Sequence, residues 1–276
     1  LTLMTRIALF QMTSGIDPQA NAAAIVRRVR EAAQGGAEML FTPEMCGLLD
    51  RNRARSAEHI VPEAENPVLA AAREAAHEHN IWVSLGSLAI AGEGEEDRFV
   101  NRAFVIDPAG RIVARYDKMH MFDVDLATGE SWRESNAYRP GDEVVAVDSA
   151  VGRLGLTICY DIRFPALFQA LGRQNCDAIA IPAAFTVPTG KAHWHILQRA
   201  RAIEASAFVI SAAQVGEHED GRKTFGHSLV IDPWGEILLD MGGDEAGLGF
   251  AEFDPERIAK VRSELPSLAN RREIPN

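Results

Sequence analysis

The chain has 276 residues, 47% hydrophobic and 24% charged, with a formal net charge of -11. These are ordinary values for a soluble globular protein with enough apolar residues for a sizeable core, and the negative balance argues against nucleic acid or an anionic membrane surface as the main partner. Three cysteines, Cys46, Cys159 and Cys176, form no CxxC pair, no apolar run reaches membrane-spanning length, and the start lacks a signal-peptide pattern, so the expectation is reduced thiols in a cytoplasmic protein rather than a disulfide framework.

In chain order, residues 6–12 read as a strand. Residues 18–34 read as a helix: Ala24, Ile25, Val29 and Ala32 make the apolar stripe, Asp17 is the cap, and Gly35-Gly36 ends it. A short buried strand over 39–42, a helix over 66–80 and a strand over 81–90 follow. Residues 99–116 read as a hairpin turning at Asp107-Pro108-Ala109-Gly110. Residues 118–140 are polar and irregular, with Phe122, Trp132 and Tyr138 arguing for order. The same succession then returns: strand 153–159, helix 165–173, strand 177–182, helix 191–206, strand 207–214 and hairpin 228–239. From 254 a short helix and a tail remain, and the tail is a candidate for lying over a neighbouring subunit.

The second hairpin nearly copies the first. Val105-Ile106-Asp107-Pro108-Ala109-Gly110-Arg111-Ile112 matches Val230-Ile231-Asp232-Pro233-Trp234-Gly235-Glu236-Ile237. The expectation is an α/β fold of two similar halves, a four-layer α-β-β-α sandwich in one domain over 1–276. A dinucleotide-binding Rossmann fold is the rival, but no GxGxxG follows the first strand. The DPxG turns read as structural.

Three residues stand at the carboxyl ends of expected strands, the edge where open α/β sheets place their sites. Glu44 lies in Phe41-Thr42-Pro43-Glu44, where Pro43 blocks further pairing. Lys118 follows the first hairpin. Cys159 sits between an apolar strand and Pro165, which suits the first turn of a helix. Singly, each has a plain alternative: a solvated glutamate, a surface lysine and a small buried hydrophobe. Together they make a coherent chemistry. Glu44 takes the thiol proton as Cys159 attacks a carbonyl, and Lys118 and the backbone N–H of Tyr160 receive the oxyanion.

The three segments resemble the glutamate, lysine and cysteine motifs of the nitrilase superfamily of carbon-nitrogen hydrolases. They are Phe41-Thr42-Pro43-Glu44, Tyr116-Asp117-Lys118-Met119-His120-Met121-Phe122-Asp123, and Gly155-Leu156-Thr157-Ile158-Cys159-Tyr160-Asp161-Ile162-Arg163-Phe164-Pro165. The resemblance spans nearly the whole chain. It implies a Glu-Lys-Cys triad of Glu44, Lys118 and Cys159 with a supporting second glutamate at Glu134, ahead of Pro140-Gly141; Glu130 is the competing position. Within the superfamily, Thr189-Gly190-Lys191-Ala192-His193-Trp194 and Gly226-His227-Ser228 look like the Nit branch. The resemblance implies hydrolysis of a small carboxylate-bearing amide through a thioester, with release of ammonia, no cofactor and a homodimer or larger assembly. That branch acts on the amide of deaminated glutathione or on ω-amides such as α-ketoglutaramate; Ala212-Ala213-Gln214-Val215-Gly216-Glu217-His218 is similar to the former, and N-carbamoyl compounds come third. Arg163 is expected to bind a substrate carboxylate, with help near Phe185 and Thr189; its plain alternative is an ion pair with Asp161. Lys191 replaces a proline common after Thr-Gly in the branch, and at a pocket mouth it would alter preference.

Several distractors compete. His193 and His195, two apart on a helix, do not share a face for a metal, and no metal is expected. A Cys-His arrangement through His120 or His227 is the enzymatic rival, with His227 also readable as a structural hydrogen-bonder. Cys46 is near Glu44 but lacks a following helix, Cys176 reads as core, and the acidic stretch Glu93 to Asp97 reads as a solvated loop. A non-catalytic protein that retains the fold, and acyl transfer to an amine instead of water, are the remaining alternatives.

Overall fold

Alternating apolar residues and well-capped helices organise the chain, described here by a computed structural model over residues 4–92, 98–125, 129 and 131–272. In chain order the first part contains β1 (Thr5–Gln11), α1 (Pro18–Gln34), β2 (Met39–Phe41), α2 (Arg53–Ala57), α3 (Pro67–Glu78), β3 (Trp82–Ile90), β4 (Val100–Ile106) and β5 (Ile112–Asp117). A small hairpin, β6 (Asp123–Asp125) and β7 (Ser131–Arg133), follows. The second part contains β8 (Ala146–Ser149), β9 (Gly152–Leu156), α4 (Pro165–Arg173), β10 (Ala178–Ala180), α5 (Val187–Ala205), β11 (Phe208–Ser211), β12 (Val215–Glu217), β13 (Lys223–Phe225), β14 (Leu229–Ile231), β15 (Ile237–Asp240), β16 (Gly247–Phe253) and α6 (Pro255–Glu264).

Two six-stranded sheets result, ordered β16-β1-β2-β3-β4-β5 and β15-β14-β11-β10-β9-β8. Three parallel strands lead each, then two antiparallel ones: β1, β2, β3, β4, β5 correspond to β9, β10, β11, β14, β15. Each first strand also carries an antiparallel edge partner, β16 on β1 and β8 on β9. The two halves inferred from the repeated hairpins are therefore real in pairing direction. Both turns are built alike: Asp107 accepts from the N–H groups of Ala109 and Arg111, and Asp232 from those of Trp234 and Glu236.

Strand periodicity assigns the layers. Ile7 and Leu9 of β1 and Ala103 and Val105 of β4 share a core with Leu154, Leu156 and Ile179 of the other sheet. Ala8, Phe10, Phe104 and Ile106 face the opposite way, onto Ile25, Val29, Leu69 and Ala72 of α1 and α3. Phe168, Leu171, Trp194 and Ala202 of α4 and α5 cover the second sheet. The order is helix, sheet, sheet, helix, as expected. Burial of each large side chain there contributes about 1.5–3 kcal/mol.

Element ends shift for identifiable reasons. Asn66 is the cap of α3, accepting from the N–H groups of Val68 and Leu69, so the helix starts one residue later than expected. Helix α5 starts four residues earlier than expected, because Pro188 occupies its first turn, where no N–H is needed. The expected strand 153–159 spans only Gly152–Leu156. Residues 118–140 hold β6, β7 and a 3₁₀ turn at Glu134–Asn136. Strand β16 escaped the sequence reading because Gly247 and Gly249 dilute its apolar alternation. Within the described residues the tail touches its own chain: Arg271 Nη1 donates to Gln169 O at 3.0 Å, and Ser267 Oγ meets Ser206 Oγ at 3.2 Å. Glu93 to Asp97 lie outside the described residues.

Candidate active site

Glu44 lies three residues beyond β2, on a bend that passes directly over β3. A Cβ at Gly86 would come within 2.1 Å of Thr42 O and 2.4 Å of Pro43 O, so only a residue without one lets the bend lie there. Gly86 N–H donates to Thr42 Oγ1 at 2.9 Å, and Gln214 Nε2 donates to Glu44 O at 3.0 Å. The carboxylate is then aimed by Ala184 N–H, which donates to Oε2 at 2.9 Å.

Cys159 is not at a strand's end. Strand β9 stops at Leu156, and Cys159 opens a 3₁₀ turn, Cys159–Arg163, with φ at +47°. A left-handed backbone costs a non-glycine residue about 1–2 kcal/mol, so the surroundings must impose it. Asp161, with no exposed surface, does so. Its Oδ2 accepts from Ile158 N–H at 2.8 Å and Tyr116 Oη–H at 2.7 Å. Its Oδ1 accepts from His120 N–H at 3.0 Å and meets His120 Nδ1 at 2.7 Å. One buried carboxylate thus ties the cysteine bend to the segment carrying Lys118.

Lys118 follows β5 directly, its N–H donating to Asn101 O at 2.9 Å. Its ammonium donates to Glu44 Oε1 at 2.8 Å and to Glu134 at 2.9 and 3.0 Å. Glu134 also accepts from Phe122 N–H at 2.7 Å. The competing Glu130 lies outside the described residues. Lys118, Glu44 and Cys159 are only 2%, 4% and 7% exposed, so their charges act with little solvent screening.

Burial by itself would lower the Lys118 pKa, but the carboxylates of Glu134 and Glu44 outweigh it and hold the ammonium well above its ordinary value. Burial likewise opposes ionised Glu44, yet Lys118 wins and lowers that carboxyl below its usual range, helped by hydrogen bonds from Cys159 and Ala184. The Cys159 thiol is pushed well up, first by burial and then by the Glu44 charge, with Lys118 only partly compensating. The resting state is a carboxylate hydrogen-bonded to a neutral thiol. Such a thiol attacks only if its proton leaves as the new bond forms, and Glu44 is the adjacent acceptor.

Asn101 was missed by the sequence reading. It is 1% exposed and donates through Nδ2 to Glu44 Oε1 at 3.0 Å and Glu134 Oε1 at 3.3 Å. An asparagine inside the apolar strand Val100–Ile106 is the signal that could have found it, since the residue is disfavoured in strands.

These side chains form one end of a cavity of about 600 Å³. Tyr160, Phe185 and Thr189 line it as expected. Cys159 N–H is taken by Pro182 O at 2.8 Å, which leaves Tyr160 N–H, in the first turn, as the donor without an intrahelical acceptor. Arg163 is not part of the lining. Its guanidinium lies over Tyr160 and Phe185, 5.8 and 5.4 Å from the ring centres, and Nη1 meets His193 Nδ1 at 3.3 Å. No ion pair joins Arg163 to Asp161, whose Oδ2 serves Ile158 and Tyr116 and whose Oδ1 serves His120. Lys191 is exposed on α5 and does not reach the cavity wall.

Among the described residues no histidine lines the cavity, which removes the Cys-His arrangement. His120 stacks on Phe164 with centroids 3.6 Å apart, and His227 pairs with Asp240 at 2.9 Å. Cys46 and Cys176 are fully buried, with thiols pushed up to about 11 chiefly by burial. Apart from the cavity, His195, His227 and Asp240 bring ligand-type atoms within 4.8 Å of one another. His195 and His193 do diverge, as expected, but His195 meets partners from distant segments.

A family model described as carbon-nitrogen hydrolase matches residues 6–263. The deaminated glutathione amidase of Yersinia enterocolitica is 38% identical over 97% of this chain and 93% of its own length. The human deaminated glutathione amidase is 35% identical over 96% and 82%. Among solved structures, the Caenorhabditis elegans NitFhit protein superposes with a TM-score of 0.89 at 35% identity, over 98% of this chain; the chain spans 65% of that longer one. Saccharomyces cerevisiae Nit3, a member of branch 10 of the nitrilase superfamily, gives 0.85 at 25% identity over 96% of each chain.

Proposed function

The chain belongs to the carbon-nitrogen hydrolase family, and from that premise we propose that it is a cysteine-nucleophile amidase acting on a small carboxylate-bearing amide. The observation that carries the reading is the cluster of buried Glu44, Lys118 and Cys159 with half-buried Glu134 at one end of an open cavity. Sγ of Cys159 attacks the amide carbon while Glu44 takes the thiol proton. The oxyanion settles between the Lys118 ammonium and Tyr160 N–H. Glu44 returns the proton to the departing nitrogen as the C–N bond breaks and a thioester remains. Glu44 then deprotonates a water that attacks the thioester, and the acid leaves with the thiol restored. Glu134 and Asn101 hold Lys118 and Glu44 in place throughout.

Deaminated glutathione is the leading substrate, because the relatives above carry that name. A cavity of about 600 Å³ is within the range that encloses drug-sized molecules, more room than a five-carbon ω-amide needs. An ω-amide such as α-ketoglutaramate is the second reading and would release ammonia; a peptide-like amide releases its amine instead. Phe185 and Thr189 shape the wall against the substrate, and Arg163 adds positive charge from behind Tyr160 and Phe185. Three free thiols fit a cytoplasmic protein. A homodimer or larger assembly is expected and is measurable by light scattering.

The test is a panel of amides scored for both ammonia and free amine, with rapid quenching and mass spectrometry of the Cys159 peptide. Wild type should show a transient acyl adduct there, and Cys159→Ala should bind substrate without product. Steady turnover by Cys159→Ala would refute the mechanism.

A further inference from the structure

Outside the cavity, three side chains from three segments converge beside the edge strand of the second sheet. His195 comes from α5, His227 from the bend between β13 and β14, and Asp240 from the end of β15. The helix points His193 and His195 apart, so those two share no ion; the tertiary structure gives His195 other company. The imidazole nitrogens and the carboxylate oxygen lie within 4.8 Å of one another. The backbone fixes the group. Trp194, fully buried, donates through Nε1 to His227 O at 2.8 Å, and His227 N–H donates to Gly242 O at 2.7 Å. His227 is thereby held at φ +55°, a left-handed conformation that is unfavourable for a residue with a Cβ and persists only where the surroundings impose it. Its ring stacks on Phe225 with centroids 4.5 Å apart, and a Cβ at Gly243 would come within 3.2 Å of its Nε2. The Nε2 edge is therefore confined, and Nδ1 is the nitrogen presented to Asp240.

Asp240 is set from its own side of the cluster. Gly242 N–H donates to Oδ1 at 2.9 Å, and His227 Nδ1 meets the same oxygen at 2.9 Å. The other oxygen, Oδ2, lies 3.0 Å from His195 Nε2 and 3.2 Å from His227 Nδ1. Two imidazoles thus address one carboxylate oxygen from two directions. Those separations approach the edge of a coordination tetrahedron, about 3.3 Å for metal–ligand bonds of about 2.0–2.1 Å. Small rotations of the imidazoles bring the third edge, at most 4.8 Å here, to the same length. The His195, His227 and Asp240 side chains are 33%, 26% and 32% exposed, which leaves an entry path and open positions for water. Two imidazoles and a carboxylate suit zinc-class ions better than Mg²⁺ or Ca²⁺, whose preferred ligands are all oxygen. The net charge of -11 draws cations to the surface.

We propose that His195 Nε2, His227 Nδ1 and Asp240 Oδ2 form a binding site for one divalent zinc-class ion, with water completing its coordination. The ion joins α5, the bend before β14 and the end of β15, and so clamps the helix that covers the second sheet. None of the three residues lines the cavity. The ion stabilises the fold and takes no part in the amide chemistry, so the proposal stands independently of the amidase reading.

The experiment uses the full-length, untagged chain stripped of metal by a chelator, as wild type and as Cys159→Ala, which removes the cavity thiol as a competing ligand. Zn²⁺ is titrated by calorimetry and Co²⁺ by visible spectroscopy. In the Cys159→Ala form one equivalent should bind. Co²⁺ should show the absorption of a nitrogen- and oxygen-ligated ion without a sulfur charge-transfer band, and excess Mg²⁺ should displace neither metal. At a hundredfold excess over Kd, Zn²⁺ should raise Tm by about 4–6 °C. His195→Ala and Asp240→Asn, each made in the Cys159→Ala form, should weaken binding at least about tenfold and remove most of that rise. The asparagine keeps a hydrogen-bond acceptor for the imidazoles, so its loss of binding separates metal ligation from a purely hydrogen-bonded triad. His193→Ala, two residues away on the same helix, should bind as its parent does. Failure to bind either metal, a sulfur charge-transfer band in the Cys159→Ala form, or affinity unchanged by both His195→Ala and Asp240→Asn overturns the site.

Discussion

Replacing Lys118 by methionine should separate the charge balance of the site from its shape. Methionine keeps most of the length and volume but removes the ammonium that touches Glu44 at 2.8 Å and Glu134 at 2.9 Å. Removing one partner of a buried ion pair costs about 3–5 kcal/mol, because the remaining charge is uncompensated. For a chain of this size that corresponds to a fall in Tm of about 5–9 °C. The pH dependence gives the sharper test. In the wild type Glu44 is held below its usual range, so its contribution to stability is complete above the ordinary carboxylate pKa and is lost only as pH falls through the lowered folded value. Lys118 is held above its usual value, so its contribution is complete below the ordinary lysine pKa and is lost as pH rises through the folded value. Neither change falls near neutrality. In the variant the buried Glu44 carboxylate is left without its cation, and burial together with the neighbouring carboxylate raises its affinity for protons. The variant should therefore gain stability as pH falls from about 7.5 to about 5.5, while this cluster leaves the wild type level over that window. Thermal melts across the window decide it. A Tm deficit that stays constant with pH would refute the account of the cluster as a charge-balanced unit, whatever the loss of activity.

Iodoacetamide should alkylate Cys159 at least about tenfold faster than Cys46 and Cys176, since only Cys159 lines the cavity, and substrate should protect it; peptide mapping reads this directly. The acid limb of kcat/KM should lie below the 4.5 of an ordinary glutamate, because Lys118 keeps Glu44 ionised, and a limb at or above that value would count against Glu44 as the base. Gly86→Ala should cost about 1–3 kcal/mol and most of the activity, since its Cβ would meet Thr42 O at 2.1 Å and displace the Glu44 bend. Tyr116→Phe removes the 2.7 Å donor to buried Asp161 and should cost about 1–3 kcal/mol, with kcat falling as the cysteine bend loosens.

Residue order alone determined the two α/β halves and the three segments that carry Glu44, Lys118 and Cys159. The reason is that strand alternation, helix caps and DPxG turns act over a few residues, and the spacing of such signals is written along the chain. Tertiary structure decided what those signals do not contain. The left-handed backbone of Cys159 is imposed by Asp161, which reaches it with Tyr116 and His120 from another segment. Asn101 joins the site only because β4 runs beside the Lys118 segment. Arg163, readable as a carboxylate binder from its place in the motif, is drawn onto the rings of Tyr160 and Phe185. Which side chains meet depends on contacts between residues far apart in the chain, so packing alone settles it.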